Sequence, residues 1–286
     1  MSPQTATLAE RAPASIAALL RRRKPLVMGI LNVTPDSFSD GGRFLDAQLA
    51  IGHARQIAQD GADILDIGAE STRPYGGMQP VTLDDEMARL QPVLPGAVAL
   101  GIPVSIDTIK AKVAAWALDN GAAILNDVWG FQRDPDMARV AAERGVPVIL
   151  MHNRDKADPK IDIVADVLAF FRRSLEIAAS AGVRRENIVL DPGIGFGKTP
   201  EQSIMCLGRL PDFVKLGIPL LVGASRKRFI SSVAPSEPDH RIGGSLASAL
   251  IAADAGAAIV RVHDVAETVQ ALKVHAAIKG TSRDQP

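Results

Sequence analysis

Eight short apolar runs recur along the chain, each followed by a longer stretch of helical character. That alternation constrains the fold more than anything else in the sequence. The runs occupy residues 26–31, 64–67, 104–106, 123–125, 148–151, 188–190, 220–222 and 258–262. They are apolar on both faces, as parallel strands are when helices cover them or when they face a barrel core. The intervening stretches, such as 46–59, 161–180 and 265–278, repeat apolar residues at intervals of three and four. From Pro25 to Gly280 the 256 residues divide into eight units of 32, about the size of one strand–helix unit with its connections. Eight such units approach the roughly 250 residues of a β/α (TIM) barrel. A doubly wound open sheet shares the local pattern, but the count favours the barrel. No linker or composition break divides residues 25–280, which are read as a single α/β domain, an eight-stranded parallel β/α barrel. Residues 1–24 are read as a partly flexible N-terminal extension with a short lead-in helix at 15–22, and 281–286 as a C-terminal tail.

Composition removes several classes of function. Thirty-two basic and 32 acidic side chains leave no formal net charge, whereas a nucleic-acid surface needs a basic field. Aromatics at 4% also argue against base-stacking platforms. The single cysteine, Cys206, excludes an intrachain disulfide and a cysteine-based zinc site, and suits a reducing cytoplasm. No run of 18 apolar residues is present, so no membrane span is expected. The basic cluster 21–24 lies on the wrong side of its apolar stretch for a secretory signal.

In a β/α barrel, chemistry sits where strands end and the following loops begin. Polar residues fall there in all eight units. The runs lead in order to Asn32, Glu70-Ser71-Thr72-Arg73, Asp107, Asn126-Asp127, His152, Asp191, Ser225-Arg226-Lys227, and Arg261 with His263. Helix caps and turns account for some of these, but closing the sheet would aim all of them into one mouth. Asp107, Asn126 and Asp191 suit a flat heterocycle with N–H and amino donors. Arg73, Arg226, Lys227 and Arg261, with Asn32, Ser225 and His263, suit phosphate oxygens. The substrate expected is heteroaromatic at one end and anionic at the other.

The stretch Asp191-Pro192-Gly193-Ile194-Gly195-Phe196-Gly197-Lys198-Thr199 fits neither the phosphate-loop pattern, which needs glycine at 192, nor the dinucleotide fingerprint, which needs it at 198. Its glycines are expected to let backbone pass close to a flat ligand, with Phe196 packing on it. Residues 34–42 and 72–77 make long glycine-bearing connections of the kind that form lids. Of five histidines, His152 and His263 are placed in the site, whereas His53, His240 and His275 are read as surface residues. Transition-metal spacing is absent, and a magnesium ion carried by a phosphate substrate is compatible with the pattern.

The motif Gly29-Ile30-Leu31-Asn32-Val33-Thr34-Pro35-Asp36-Ser37-Phe38-Ser39-Asp40-Gly41-Gly42 closely resembles the dihydropteroate synthase family of folate biosynthesis, the sulfonamide target. The likeness covers nearly the whole chain after residue 24. It includes Glu70-Ser71-Thr72-Arg73-Pro74, Ser105-Ile106-Asp107-Thr108, Met151-His152, Ser225-Arg226-Lys227 and Arg261-Val262-His263-Asp264. The resemblance implies a β/α barrel that joins (7,8-dihydropterin-6-yl)methyl diphosphate to 4-aminobenzoate, releasing diphosphate with Mg2+. By position, Asp107, Asn126, Asp191 and Lys227 would hold the pterin. Asn32, Arg261 and His263 would hold the diphosphate, with Asn32 also the metal ligand. Phe38, Thr72, Pro74, Phe196 and Ser225 would line the aminobenzoate site. Asp40, Arg73, Lys227, Arg261 and His263 would form the catalytic set, with Phe38, Asp40 and Arg73 arriving on mobile loops. The family likeness also implies a homodimer, with helices near 243–254 and 265–278 as its expected contact.

Ala69, Tyr75 and the charged stretch Asn153-Arg154-Asp155-Lys156 depart from the usual pattern without removing a transferred role. Two alternatives stand beside this reading: a pterin-binding methyltransferase-type domain working with a corrinoid partner, and a catalytically silent pterin-binding paralogue.

Overall fold

The computed structural model of the chain describes Leu20 and residues 25–34, 42–70 and 81–281. All eight apolar runs are strands: β1 (Leu26–Asn32), β2 (Ile64–Gly68), β3 (Val104–Asp107), β4 (Ile124–Asp127), β5 (Val148–Met151), β6 (Ile188–Asp191), β7 (Leu221–Val222) and β8 (Ile259–Val262). They form one parallel sheet in the order β6-β5-β4-β3-β2-β1-β8-β7. A single bridge between Leu190 and Leu220 joins the two ends, so the fold is the β/α barrel expected from the count. Of the predicted lead-in helix only Leu20 is described; it is helical and packs against the apolar barrel interior.

The helices are α1 (Gly42–Gln59), α2 (Leu83–Leu90), α3 (Leu94–Val98), α4 (Ala111–Asp119), α5 (Met137–Arg144), α6 (Ile163–Ala181), α7 (Pro200–Gly208), α8 (Leu210–Val214), α9 (Arg228–Val233), α10 (Ile242–Asp254) and α11 (Val265–Thr281). Their ends follow local chemistry. Asp162 caps α6 by accepting the Val164 and Ala165 amides, and Gly182 ends it in the left-handed region at φ 85°, where other residues are strained. Thr199 and Gln202 form a reciprocal capping box on α7, with Pro200 at the first position.

Strand side chains alternate between two faces, and the register decides which face looks inward. Met28 pairs with Ile64 and Arg261, Leu26 with Ile259, and Ile149 with Asn126 and Val189. On this parity Leu26, Met28, Ile64, Ile124, Ile149, Val189, Leu221 and Ile259 fill the barrel as a cluster of their own. The opposite parity, including Val27, Leu31, Leu65, Ile67, Ile106, Leu125, Leu150 and Val260, packs outward in the larger cluster shared with the helices. Followed toward the strand ends, the inward parity changes character, reaching Asp66, Asp107, Asn126, Asp191 and Arg261. The interior is therefore apolar at one end and polar at the other.

Ile149 is fully buried inside the barrel, where neighbours on all sides prevent collapse into a new void. Replacing Ile149 with Ala should cost about 3 kcal/mol of unfolding free energy, read as a lower urea midpoint at unchanged slope.

Candidate active site

At the polar end of the interior, Arg261 reaches across from β8. Its Nε donates to Asp66 Oδ2 at 2.6 Å and its Nη2 to Asp107 Oδ2 at 3.1 Å. Burial alone would lower the Arg261 pKa, but Asp66 and Asp107 more than offset it and hold it above its usual value. Asn126 donates its amide to the same Asp66, at 3.2 and 3.4 Å, which leaves the amide oxygen for a ligand's donors. Burial pushes Asp107 up, against the pull of Arg261. Its Oδ1 is buried with no hydrogen-bond partner among the described residues, so a ligand N–H placed there would meet an unused acceptor.

Opposite stand Asp191 and Lys227. Asp191 Oδ1 accepts the Gly193 amide at 2.7 Å, while burial raises the carboxyl's pKa against that bond and the Lys227 charge. Lys227 is half-buried, and burial followed by the nearby Arg261 charge pushes its ammonium well down. Its Nζ lies 3.9 Å from the centroid of the Phe196 ring, a cation–π contact. Asp107, Asn126, Asp191, Phe196, Lys227 and Arg261 line a single cavity together with Val128, Met151, Ile194 and Gly223. Residues more than 150 positions apart thus meet in the one mouth expected of them.

The glycine-rich loop packs closely against protein at two of its glycines. Gly193 has φ 63°, and a Cβ there would lie 2.0 Å from the His152 carbonyl oxygen, so the loop packs directly on the chain leaving β5. A Cβ at Gly195 would sit 3.1 Å from Lys227 Cδ. These two glycines make room for protein, while Phe196 lies under Lys227 and also lines the cavity.

At the rim, Ser225 Oγ accepts the His263 amide at 3.2 Å and lies 3.0 Å from its Nδ1. Burial, then the charge of Arg261, lowers His263 to about 3, leaving a neutral ring. Asn32 stands half-buried at the end of β1. Phe38, Asp40, Thr72, Arg73 and Pro74 lie outside the described residues. Both flanks of segment 71–80 are nevertheless tied together. Glu70 accepts the Val81 amide at 3.1 Å, and Lys110 bridges Glu70 and Glu86 at 2.5 and 2.6 Å.

Three expectations are corrected by side-chain parity and pairing. His152 follows Met151 on the outward parity; it is fully buried and packs edge-on against Phe170 at 4.9 Å rather than entering the mouth. Asp127, also outward, accepts the Trp129 and Phe131 amides and shapes its own turn. Arg226 is bound to Asp264 and Asp239, so its charge is committed to holding its loop, with φ 57°, against the end of β8. His53 and His240 are exposed as expected, while His275 is half-buried beside Asp254.

Residues 28–263 match the family described as pterin binding enzyme. The chain belongs to the pterin-binding enzyme family. The dihydropteroate synthase of Bacillus subtilis is 47% identical over 259 residues, covering 90% of each chain. A crystal structure of the Clostridium difficile dihydropteroate synthase in the presence of pteroic acid is 47% identical. It superposes with a TM-score of 0.85, covering 89% of this chain and 97% of that one. The Xanthomonas albilineans dihydropteroate synthase with 4-aminobenzoic acid is 42% identical with a TM-score of 0.86, covering 92% and 94%.

Two buried charges in this family member escaped sequence reasoning. Asp66 sits mid-strand in Ile64-Leu65-Asp66-Ile67-Gly68, and a carboxylate on the inward parity of an apolar run was the available signal. Lys198 is 1% exposed, with its ammonium on His152 Nδ1 at 2.6 Å. His152 Nε2 in turn meets Asp166 at 3.0 Å. Among the described residues no cluster of three or more His, Cys, Asp or Glu could hold a metal ion. The Asn32 amide at the mouth is a hard oxygen donor of the kind magnesium accepts.

Burial lowers His152 to about 4, against about 6.5 in an unfolded chain. Between those values the unfolded chain binds a proton that the folded one refuses, so this contribution to stability falls as the pH drops from about 6.5 to 4, by about 3 kcal/mol. Urea midpoints across that range should therefore decline less steeply for His152→Gln than for the parent; identical slopes would contradict the assignment.

Proposed function

We propose that this chain is a dihydropteroate synthase: it transfers the (7,8-dihydropterin-6-yl)methyl group from its diphosphate to 4-aminobenzoate, yielding 7,8-dihydropteroate and diphosphate. The observation that carries this reading is the meeting of Asp107, Asn126, Asp191 and Lys227 around one cavity. The first three are acceptors for a pterin's amino and ring N–H donors, and Lys227 is a donor for its carbonyl. The relatives' ligands support the substrate pair: pteroic acid, which joins a pterin to an aminobenzoate, in one structure and 4-aminobenzoic acid in the other.

Breaking the methylene carbon–oxygen bond leaves cationic character on the carbon, spread into the pterin ring, and negative charge on the diphosphate. Asp107 and Asp191 favour the electron-poor ring, while Arg261 and His263 face the departing oxygens. Asn32 is the residue that would hold Mg2+, which when bound screens the diphosphate's charge. The aminobenzoate nitrogen then attacks the methylene and loses a proton. An arylamine is a weak nucleophile, so we assign a largely dissociative displacement. Phe38, Thr72, Pro74, Phe196 and Ser225 are assigned to the aminobenzoate, and Asp40 and Arg73 to the catalytic set. A substantial secondary deuterium isotope effect at the methylene is the expected result, and one near unity would point instead to a tight displacement.

The deciding assay mixes pterin diphosphate, 4-aminobenzoate and Mg2+ with the protein and measures dihydropteroate and diphosphate. Tight pterin binding without turnover would favour a silent binder, and methyl transfer from methyltetrahydrofolate a methyltransferase-type domain. Lys227→Ala should weaken pterin binding at least about 30-fold, roughly 2 kcal/mol by the affinity relation, while shifting the melting temperature by only a few degrees. Calorimetry and a thermal scan together check this. Chelation should abolish turnover and added Mg2+ restore it.

Ile251 on α10 and Val274 and Ile278 on α11 are 56%, 55% and 63% exposed, which supports a homodimer built on these helices. Among the described residues no helix is long and apolar enough to cross a membrane. With one buried free cysteine, the reading places the reaction in the cytoplasm.

A further inference from the structure

We propose that Lys198, acting through His152 and Asp166, is a positioning residue for the acceptor-amine side of the site. The proposal rests on the synthase reading above. None of the three lines the cavity, and none carries a role in the reading so far.

The Lys198 ammonium has three protons and meets three acceptors: His152 Nδ1 at 2.6 Å, the Gly193 carbonyl at 2.9 Å and the Phe196 carbonyl at 3.2 Å. An ammonium only donates, so His152 Nδ1 must offer its lone pair. Its proton then sits on Nε2 and points to Asp166 Oδ2 at 3.0 Å. Asp166 is rooted in α6 and also accepts Arg154 Nη1 at 2.8 Å. A continuous chain of charge-assisted hydrogen bonds thus runs from α6 to the loop between β6 and α7. Burial lowers Lys198 to about 8 and His152 to about 4, in keeping with a charged lysine on a neutral ring near neutral pH.

The far end of the chain shows what it holds. Gly193 O accepts both the Lys198 ammonium and the Phe196 amide, the latter at 3.1 Å, closing the turn whose tip presents the Phe196 ring. That ring lies under Lys227 Nζ and is assigned to the aminobenzoate. Asp191 holds the Gly193 amide independently, so the pterin side keeps its own anchor when the lysine is lost. Burying an ammonium is unfavourable for folding alone, since apolar replacements of buried charges are often neutral or stabilising. Here its return is a fixed turn beside the cavity.

The test compares Lys198→Met, His152→Leu and His152→Gln in the full chain. It measures kcat and KM for each substrate, pterin Kd by calorimetry, melting temperature, and hydrogen exchange of the Phe196 amide. Lys198→Met should raise the KM for 4-aminobenzoate tenfold or more, leave pterin Kd within threefold, and speed Phe196 exchange at least tenfold. His152→Leu should follow it. His152→Gln, which can accept from Lys198 and donate to Asp166, should stay within threefold of the parent. The double variant Lys198→Met/His152→Leu should be no worse than Lys198→Met alone. An unchanged amine KM in a folded Lys198→Met protein, or parallel losses on both substrates, would overturn the proposal. If Lys198→Met does not fold, the His152 pair decides on the same criteria. A parent without turnover refutes the synthase reading; the exchange data then judge the positioning of the turn, and unchanged Phe196 exchange refutes that as well.

Discussion

Charge pairing at the polar end of the barrel interior sets the terms for the rest of the site. Asp66, Asp107 and Asp191 are all buried, and carboxylates so placed are driven toward neutrality unless cations answer them. Arg261 answers two of them directly, and Lys227 lies close enough to Asp191 to oppose its rise in pKa. One guanidinium therefore organises two carboxylates at once. It hydrogen-bonds Asp66, and Asp66 in turn orients the Asn126 amide. Removing Arg261 would leave buried carboxylates unpaired, which typically costs several kcal/mol, so a lost activity at this position would mix binding with structural repair.

Support and chemistry are divided between the two faces of the same strands. Residues of inward parity meet the cavity, whereas other polar residues at or shortly beyond the strand ends tie loops in place. Asp127 holds the turn that follows β4. His152 contacts Lys198, and Arg226 clamps its own loop to Asp264. This division explains why so many polar side chains cluster near the strand ends although only part of them reach a ligand.

The barrel was legible because apolar runs and helical stretches alternate with a regular period, and each run became a strand within a residue or two of its expected ends. Asp107, Asn126, Asp191, Lys227 and Arg261 were legible because strand ends converge once the sheet closes. What failed was direction. A one-residue step reverses the face of a strand, and the sequence carries no mark of where a strand's register stops, so His152 and Asp127 were aimed the wrong way. Arg226 was misplaced because its partners, Asp239 and Asp264, are distant or lie beyond another strand. Asp66 was not legible because it sits inside an apolar run, whereas the barrel rule points to strand ends. Lys198 closes a glycine-rich stretch that fits no phosphate motif, and only packing reveals that its tail turns inward.

The seam of the cylinder has a mechanical consequence. Where β1 and β2 share five register pairs, β6 and β7 are joined by one bridge, and β7 is two residues long. With one rung, this seam has the fewest backbone ties of any pair of neighbouring strands in the described barrel. The segments leaving β6 and β7 carry Phe196 on one side and Lys227 on the other, so the contact between that ring and that ammonium is a side-chain clasp across the weakest-paired junction of the cylinder.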